Sequence, residues 1–291
     1  MKKVITHSGS FHADEVFAVA TLQLHFGVEN VEVIRTRDES VIATGDIVVD
    51  VGGVYDAGLQ KFDHHQNGAP IRDNGILYAA FGLVWKHYGE SVAGSPEVAA
   101  EIERKLVLPI DANDVGVSLY DVNEKGIAPA TLQDILSLWR PTWGSVGDTD
   151  SAFAEVCGLA REILSRAVAH AKSDLEHKHY VESVYQAAED KKVLIFDKSA
   201  STHFLIEHPE VIAAIYPSEE GDRWSAAMVR KNFDSFEPRQ KFSESWTGLR
   251  GAELATSSGI ADAVFCHKAG YLFVAKSKDG AVEAANKALS R

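Results

Sequence analysis

Short apolar runs rich in Val and Ile alternate with longer stretches whose apolar positions return every three or four residues. The short runs predict strands at 4–6, 31–35 and 46–51, and the longer ones predict helices at 14–26, 77–88, 96–108 and 131–139. Strands alternating with helices predict an α/β domain around a largely parallel, doubly wound sheet. From 150 to 190 there is almost no Gly or Pro after Gly158, and helical periodicity persists, so one long or broken helix is expected. Strand patterns follow at 192–196, 211–216, 224–230 and 263–275, with helical ones at 251–256 and 280–290. The expected organisation is therefore a doubly wound domain over 1–150, a connecting helix over 151–190 and a smaller C-terminal α/β domain over 191–291.

Composition narrows the function. At 291 residues with 45% hydrophobic and 24% charged positions, the chain has the make-up of a globular protein. A net charge of −13 argues against a nonspecific duplex-DNA binder, whose affinity comes from Lys and Arg on phosphates. Cys157 and Cys266 are too few and too far apart for a disulfide framework or a zinc cluster. The N-terminus lacks the apolar stretch of a signal peptide, and no run is long enough to span a bilayer, so a cytoplasmic protein without a membrane partner is expected.

Candidate chemistry gathers in four segments, each read as a place where a strand runs out into a loop. His7-Ser8-Gly9-Ser10-Phe11-His12-Ala13-Asp14 lies between the first strand and the helix it feeds, and its glycine lets His7, His12 and Asp14 converge. Asp46-Ile47-Val48-Val49-Asp50-Val51-Gly52-Gly53 is an apolar strand ending in a carboxylate, which needs a cation because an unpaired buried charge is costly. In Asp63-His64-His65-Gln66, one imidazole can ligate while the other faces substrate, and Asp63 can orient a ring. Asp111-Ala112-Asn113-Asp114 follows the apolar Leu106-Val107-Leu108. Taken singly, these segments also read as capped turns or ordinary polar loops. Together they supply hard oxygens and imidazoles suited to Mn2+ or Mg2+, with cobalt or zinc also compatible. Two ions sharing a carboxylate would suit hydrolysis at phosphorus.

The Asp63-His64-His65 signature, with the preceding His/Asp loop and the later Asp, resembles the DHH phosphoesterase superfamily. More narrowly, THSGSFHADE (6–15), IVVDVGGVYD (47–56), FDHHQ (62–66), GLVWKHYG (82–89), TGLRG (247–251) and SGIADAVFCHKAGY (258–271) resemble the Myg family, named after the melanocyte proliferating gene. The resemblance implies two ions per chain: one held by His7, His12 and Asp50, the other by Asp14, Asp50, His64 and Asp111, with Asp50 bridging. It implies that His65 meets the scissile phosphate or the leaving oxygen and that Asp63 orients a neighbouring histidine. It also implies 3′-to-5′ exonuclease activity on RNA or DNA. The chain departs from the family pattern at Ala13, where Cys is usual, and at Val115, where Asn is usual; neither removes a ligand. It also carries Phe273-Val274-Ala275 where a glycine pair and a His are expected.

In the second domain Arg250, His267 and Lys268 are candidates for gripping phosphate, Arg by a bidentate fork and Lys as a point charge, although solvated surface residues would look the same. The functional expectation is a metal-dependent phosphoesterase acting as an exonuclease on short single-stranded nucleic acid. Hydrolysis of a small phosphorylated metabolite such as pyrophosphate or a dinucleotide, and a metal-binding regulatory module without turnover, remain as alternatives. A homodimer is left open.

Overall fold

The computed structural model describes residues 1–122, 124–145 and 147–290. The chain divides into two compact units, Met1–Ser173 and Asp174–Arg291. The first is built on a five-stranded sheet of β1 (Lys2–Thr6), β2 (Val31–Arg35), β3 (Ile47–Val49), β4 (Tyr55–Asp56) and β5 (Lys61–Phe62), in the order β2-β1-β3-β5-β4. All pairings are parallel except the edge pair β4/β5. Val4 and Ile5 are both buried, as are Ile47, Val48 and Val49. Neighbours in a strand point to opposite faces, so these runs show a sheet covered on both sides, the usual condition of parallel strands.

The helices of this unit are α1 (Ala13–Phe26), α2 (Glu39–Ile42), α3 (Ala80–Ala93), α4 (Pro96–Ile102), α5 (Leu108–Asp114), α6 (Leu132–Ser137) and the first part of α7 (Thr149–Ala187). Helix α1 is buried without interruption from Ala13 to Gln23, and Phe17 packs on Phe81 of α3 with ring centroids 5.3 Å apart. The expected long helix is the continuous α7, and the division between units falls inside it. Its first part buries Phe153, Val156, Cys157, Ala160, Leu164, Val168 and Ala171, one apolar stripe at helical spacing.

The second unit carries a mixed sheet of β6 (Val193–Ile195), β7 (Ala213–Pro217), β8 (Trp224–Met228), β9 (Ala263–Cys266) and β10 (Leu272–Ala275), in the order β6-β7-β8-β10-β9. Helix α8 spans Gly251–Ser258, and α9 (Lys278–Leu289) lays Ala281, Ala284, Ala285 and Ala288 into a core shared with Ile215, Phe242, Trp246 and Phe273. Both cysteines are free and buried. Among the described residues no helix is long and apolar enough to cross a membrane.

Three elements differ from the sequence reading. The strand expected over 263–275 is the antiparallel hairpin β9/β10, because Lys268-Ala269-Gly270 makes a tight turn in which Gly270 takes φ +72°. The helix expected from 77 starts at Ala80, since Leu77 bridges Ile71 and Tyr78 N–H donates to Pro70 O. The helix expected over 96–108 continues through a π-helical turn, Glu103–Val107, into α5, so Asp111 and Asp114 stand on a helix and not on a loop after a strand.

Phe273 is fully buried, with ring centroids 5.6 Å from Phe242 and 5.8 Å from Trp246. Replacing it by Ala is expected to cost about 3–5 kcal/mol of stability, seen as a lower urea midpoint monitored by tryptophan fluorescence. An unchanged midpoint would show that this core does not depend on the ring.

Candidate metal centre

Strands β1, β3 and β5 run parallel, so the segments that follow them leave the sheet at the same edge. His7 follows β1, Asp50 follows β3, and Asp63-His64-His65 follows β5. Asp50 takes φ +56°, a left-handed conformation uncommon for a residue with a side chain, and its N–H still donates to Phe62 O at 3.0 Å. That bend ends β3 and turns the carboxylate out of the strand, where it lies 4% exposed. The backbone at Asp50 is thus strained where the chemistry concentrates.

The loop before α1 is held by its own residues and its surroundings. Gly9 takes φ +93°, and buried Phe11 anchors the turn. Arg35 donates to Gly9 O (2.8 Å) while paired with Asp150 (2.9 Å), Arg140 donates to Phe11 O, and Gln133 Oε1 accepts from Ala13 N–H (2.7 Å). His12, the residue preceding α1, donates its backbone N–H to the Glu15 carboxylate (2.8 Å). These contacts fix His7, His12, Asp14 and Glu15 relative to Asp50.

The resulting distances describe one connected cluster. His7 Nε2 lies 3.1 Å from Glu15 Oε1 and 3.3 Å from Asp50 Oδ2. His64 Nε2 lies 3.1 Å from Asp50 Oδ1, 3.4 Å from Asp114 Oδ2 and 3.9 Å from Asp14 Oδ2. Among the described residues, three sets of side chains bring ligand atoms within 4.8 Å of one another: His7, His12, Glu15 and Asp50; Asp50, Asp63, His64 and His65; and His12, Asp14 and Asp114. Asp50 belongs to the first two sets and His12 to the first and third. Asp63 works mainly on its own segment. Its Oδ1 accepts from His64 N–H (2.7 Å) and His65 N–H (3.1 Å) and lies 2.7 Å from His65 Nδ1, while Oδ2 accepts from Gly53 N–H (2.5 Å).

Asp111 stands outside this cluster. Fully buried, it takes Arg72 Nη2 at 2.7 Å and Gly82 N–H at 3.0 Å, and burial pushes its carboxyl up to about 7 against the pull of Arg72. Gly82 has no side chain because Asp111 fills the space: a Cβ there would meet Asp111 Oδ2 at 1.9 Å. Asp114, one helical turn further along α5, is the acid that reaches His64.

The electrostatics of the cluster set its groups against one another. Burial disfavours charge on Asp50, yet His64 and His7 hold its carboxyl down to about 2. Burial also opposes charge on His7, and Asp50 and Glu15 outweigh it, lifting the imidazole to about 10. Asp50 likewise raises His64 against the effect of burial. Asp14 is driven well above the carboxylate range by burial and then by repulsion from Asp50, Glu15 and Asp114, and Asp114 rises for the same two kinds of reason. Asp14 Oδ1, Asp50 Oδ1 and His64 Nε2 are buried and, among the described residues, complete no hydrogen bond. Buried polar atoms without partners are costly, and these are hard oxygens and an imidazole nitrogen facing one another. The donor set fits divalent cations of the Mn2+ or Mg2+ type, more than one ion's worth.

The MYG1_exonuc family, described as an uncharacterised protein family (UPF0160), matches residues 3–289. The chain belongs to this family. It is similar to the MYG1 protein of Schizosaccharomyces pombe, 32% identical over 317 residues that cover 99% of this chain and 97% of the relative. It is 28% identical to the MYG1 exonuclease of Homo sapiens over 323 residues, covering 99% and 86%, and 29% identical to the MYG1 protein YER156C of Saccharomyces cerevisiae over 331 residues, covering 99% and 96%.

In this member of the MYG1_exonuc family the structure brings His7, His12, Asp14, Asp50, His64, His65 and Asp63 together, leaves Asp111 to Arg72, and adds Glu15 and Asp114. Both added residues lie in the same chemistry-bearing stretches, Glu15 in THSGSFHADE (6–15) and Asp114 at the end of Asp111-Ala112-Asn113-Asp114. Glu15 adjoins Asp14, and a helical reading of 108–114 would have placed Asp114 on nearly the same face as Asp111. The second-unit candidates sit around one turn. Arg250, just before α8, lies over the Phe265 ring (4.4 Å), His267 packs on Tyr271 (4.4 Å between centroids) and accepts from Ala269 N–H (3.1 Å), and Lys268 follows it.

A histidine that binds a cation must be neutral, whereas His7 holds its proton up to about 10 in the cation-free protein. Manganese uptake at pH 7.5 should therefore release protons, and affinity should weaken as pH falls. Calorimetric titrations in two buffers of different ionisation enthalpy read the number released. At least one proton per chain is expected; none would contradict the assignment of His7.

Proposed function

We propose that this protein is a divalent-metal-dependent phosphoesterase that removes nucleotides from the 3′ end of short single-stranded RNA or DNA, using two Mn2+ or Mg2+ ions per chain. The observation that carries the reading is the junction at Asp50, whose two oxygens face His7 on one side and His64 on the other. A carboxylate so placed can serve two neighbouring cation positions. In this reading His7, His12, Glu15 and Asp50 hold one ion, and Asp14, Asp50, His64 and Asp114 hold the other, Asp114 taking the place first expected for Asp111. Bound ions would make water a stronger nucleophile at neutral pH and offset the charge developing at phosphorus.

The chain's own groups do the rest. His65 has its Nδ1 engaged by Asp63 and a side chain 62% exposed, which leaves Nε2 for the substrate phosphate or the leaving oxygen. Asp63 acts by fixing that ring. Arg250, His267 and Lys268 are assigned to the substrate's phosphates within the second unit. Relatives named MYG1 exonuclease support nucleic acid as the substrate class, and the net charge of −13 favours short substrates over long duplexes.

Asp50→Asn should nearly abolish turnover with the fold intact, because an amide offers no charge to either position. Circular dichroism and initial rates on an end-labelled oligonucleotide test this, and wild-type rates in the variant would refute the junction. Pyrophosphate in a parallel assay separates the substrate classes. Stepwise 3′ shortening is expected, whereas fast pyrophosphate hydrolysis beside an untouched oligonucleotide would replace the exonuclease with a metabolite hydrolase. Manganese binding with no hydrolysis of either would leave a regulatory module.

A further inference from the structure

A phosphoesterase centre so rich in carboxylates needs a cationic side chain at its edge to draw in an anionic substrate. Most arginines near the centre are already committed. Arg35 is paired with Asp150 and braces Gly9, Arg72 is held between Glu103 and Asp111, and Arg140 donates to Phe11 O. Arg37, two residues beyond β2, differs. It is exposed, and among the described residues it forms no ion pair. The acid beside it in sequence, Asp38, is engaged with Ser40 N–H (2.8 Å) and Oγ (2.6 Å) at the start of α2.

The guanidinium of Arg37 nevertheless reaches the centre. Its Nε donates to Ser8 O at 3.3 Å, and its Nη2 lies 3.2 Å from His7 Nδ1. His7 Nδ1 is also 3.1 Å from Ser8 O, and one ring nitrogen cannot both accept from Arg37 and donate to that carbonyl. A His7 that ligates through Nε2 carries its proton on Nδ1 and donates to Ser8 O, which leaves Arg37 Nη2 without its acceptor. The neighbouring turn is open: a Cβ on Gly9 would meet nothing within 4 Å.

Resting on the phosphoesterase reading above, we propose that Arg37 is the phosphate-gripping residue of the centre, its guanidinium holding oxygens of the substrate phosphate beside His7. Guanidinium suits this role because it is always charged and offers paired N–H groups that match a phosphate edge. An exposed arginine that pairs with no acid among the described residues gives up little when it turns to the substrate.

The test compares wild type with Arg37→Ala, Arg37→Gln and Arg37→Lys in the manganese-loaded protein, reading manganese content, the dissociation constant for inorganic phosphate and kcat/KM on a short oligonucleotide. Expected are unchanged manganese content, phosphate affinity weakened about tenfold or more in the Ala and Gln variants with partial recovery in Lys, and kcat/KM lowered about 100-fold in Ala. If wild type leaves oligonucleotides intact, the phosphodiesterase reading falls, and weaker phosphate binding by the Ala variant still upholds Arg37. Equal phosphate affinity in wild type and the Ala variant overturns the assignment. Loss of manganese from the Ala and Gln variants also overturns it, since Arg37 would then be a support for His7.

Discussion

Asp14, Glu15, Asp50, Asp63 and Asp114 contribute carboxylates to one small, largely buried space, and like charges so placed cannot all ionise without compensation. Among the protein's own groups, protons and imidazoles supply it: His7 and His64 are raised, Asp14 and Asp114 hold protons more tightly than usual, and Asp50 stays low between the two histidines. Such an arrangement is expensive to keep as a purely structural device. Exchange of those protons for divalent cations would satisfy the same atoms, including the buried oxygens of Asp14 and Asp50 that complete no hydrogen bond among the described residues.

The architecture of the first unit follows from bringing these groups together. Three parallel strands deliver His7, Asp50 and the Asp63-His64-His65 segment to one edge of the sheet, and two helices deliver the remaining acids, Asp14 and Glu15 from α1 and Asp114 from α5. The uninterrupted burial of α1 and its packing on α3 make a rigid floor for Asp14, whose Oδ2 takes Ala80 N–H at 3.3 Å. Outside that floor, Arg35, Arg140 and Gln133 hold the turn between β1 and α1 by its backbone. A site whose ligands lie on separate segments needs such bracing, because a shift of one ångström in one loop would separate the donors.

Much of this was legible in sequence where the signal is local. The run Val31–Arg35 and the long periodic stretch that forms α7 show their elements directly, since their patterns are unbroken by Gly or Pro over most of their length. The left-handed bend at Asp50 and the hairpin of β4 and β5, two residues per strand, leave almost no pattern to read. Asp111 and Asp114 show the limit most clearly. Two acids three residues apart on one helix look equivalent in sequence, and the choice between them is made by Arg72, 39 residues away, which takes Asp111. The run 263–275 reads in sequence as one continuous strand because its apolar residues flank a short turn marked by Lys268, Ala269 and Gly270.

The central claim is that Asp50 joins two cation positions. Anomalous diffraction from manganese-soaked crystals, collected on either side of the manganese absorption edge, tests it most directly. The account predicts two peaks within coordination distance of Asp50, one also touching His7 and the other also touching His64 and Asp114, with Asp111 still on Arg72. A single peak, or peaks that do not touch Asp50, would contradict it.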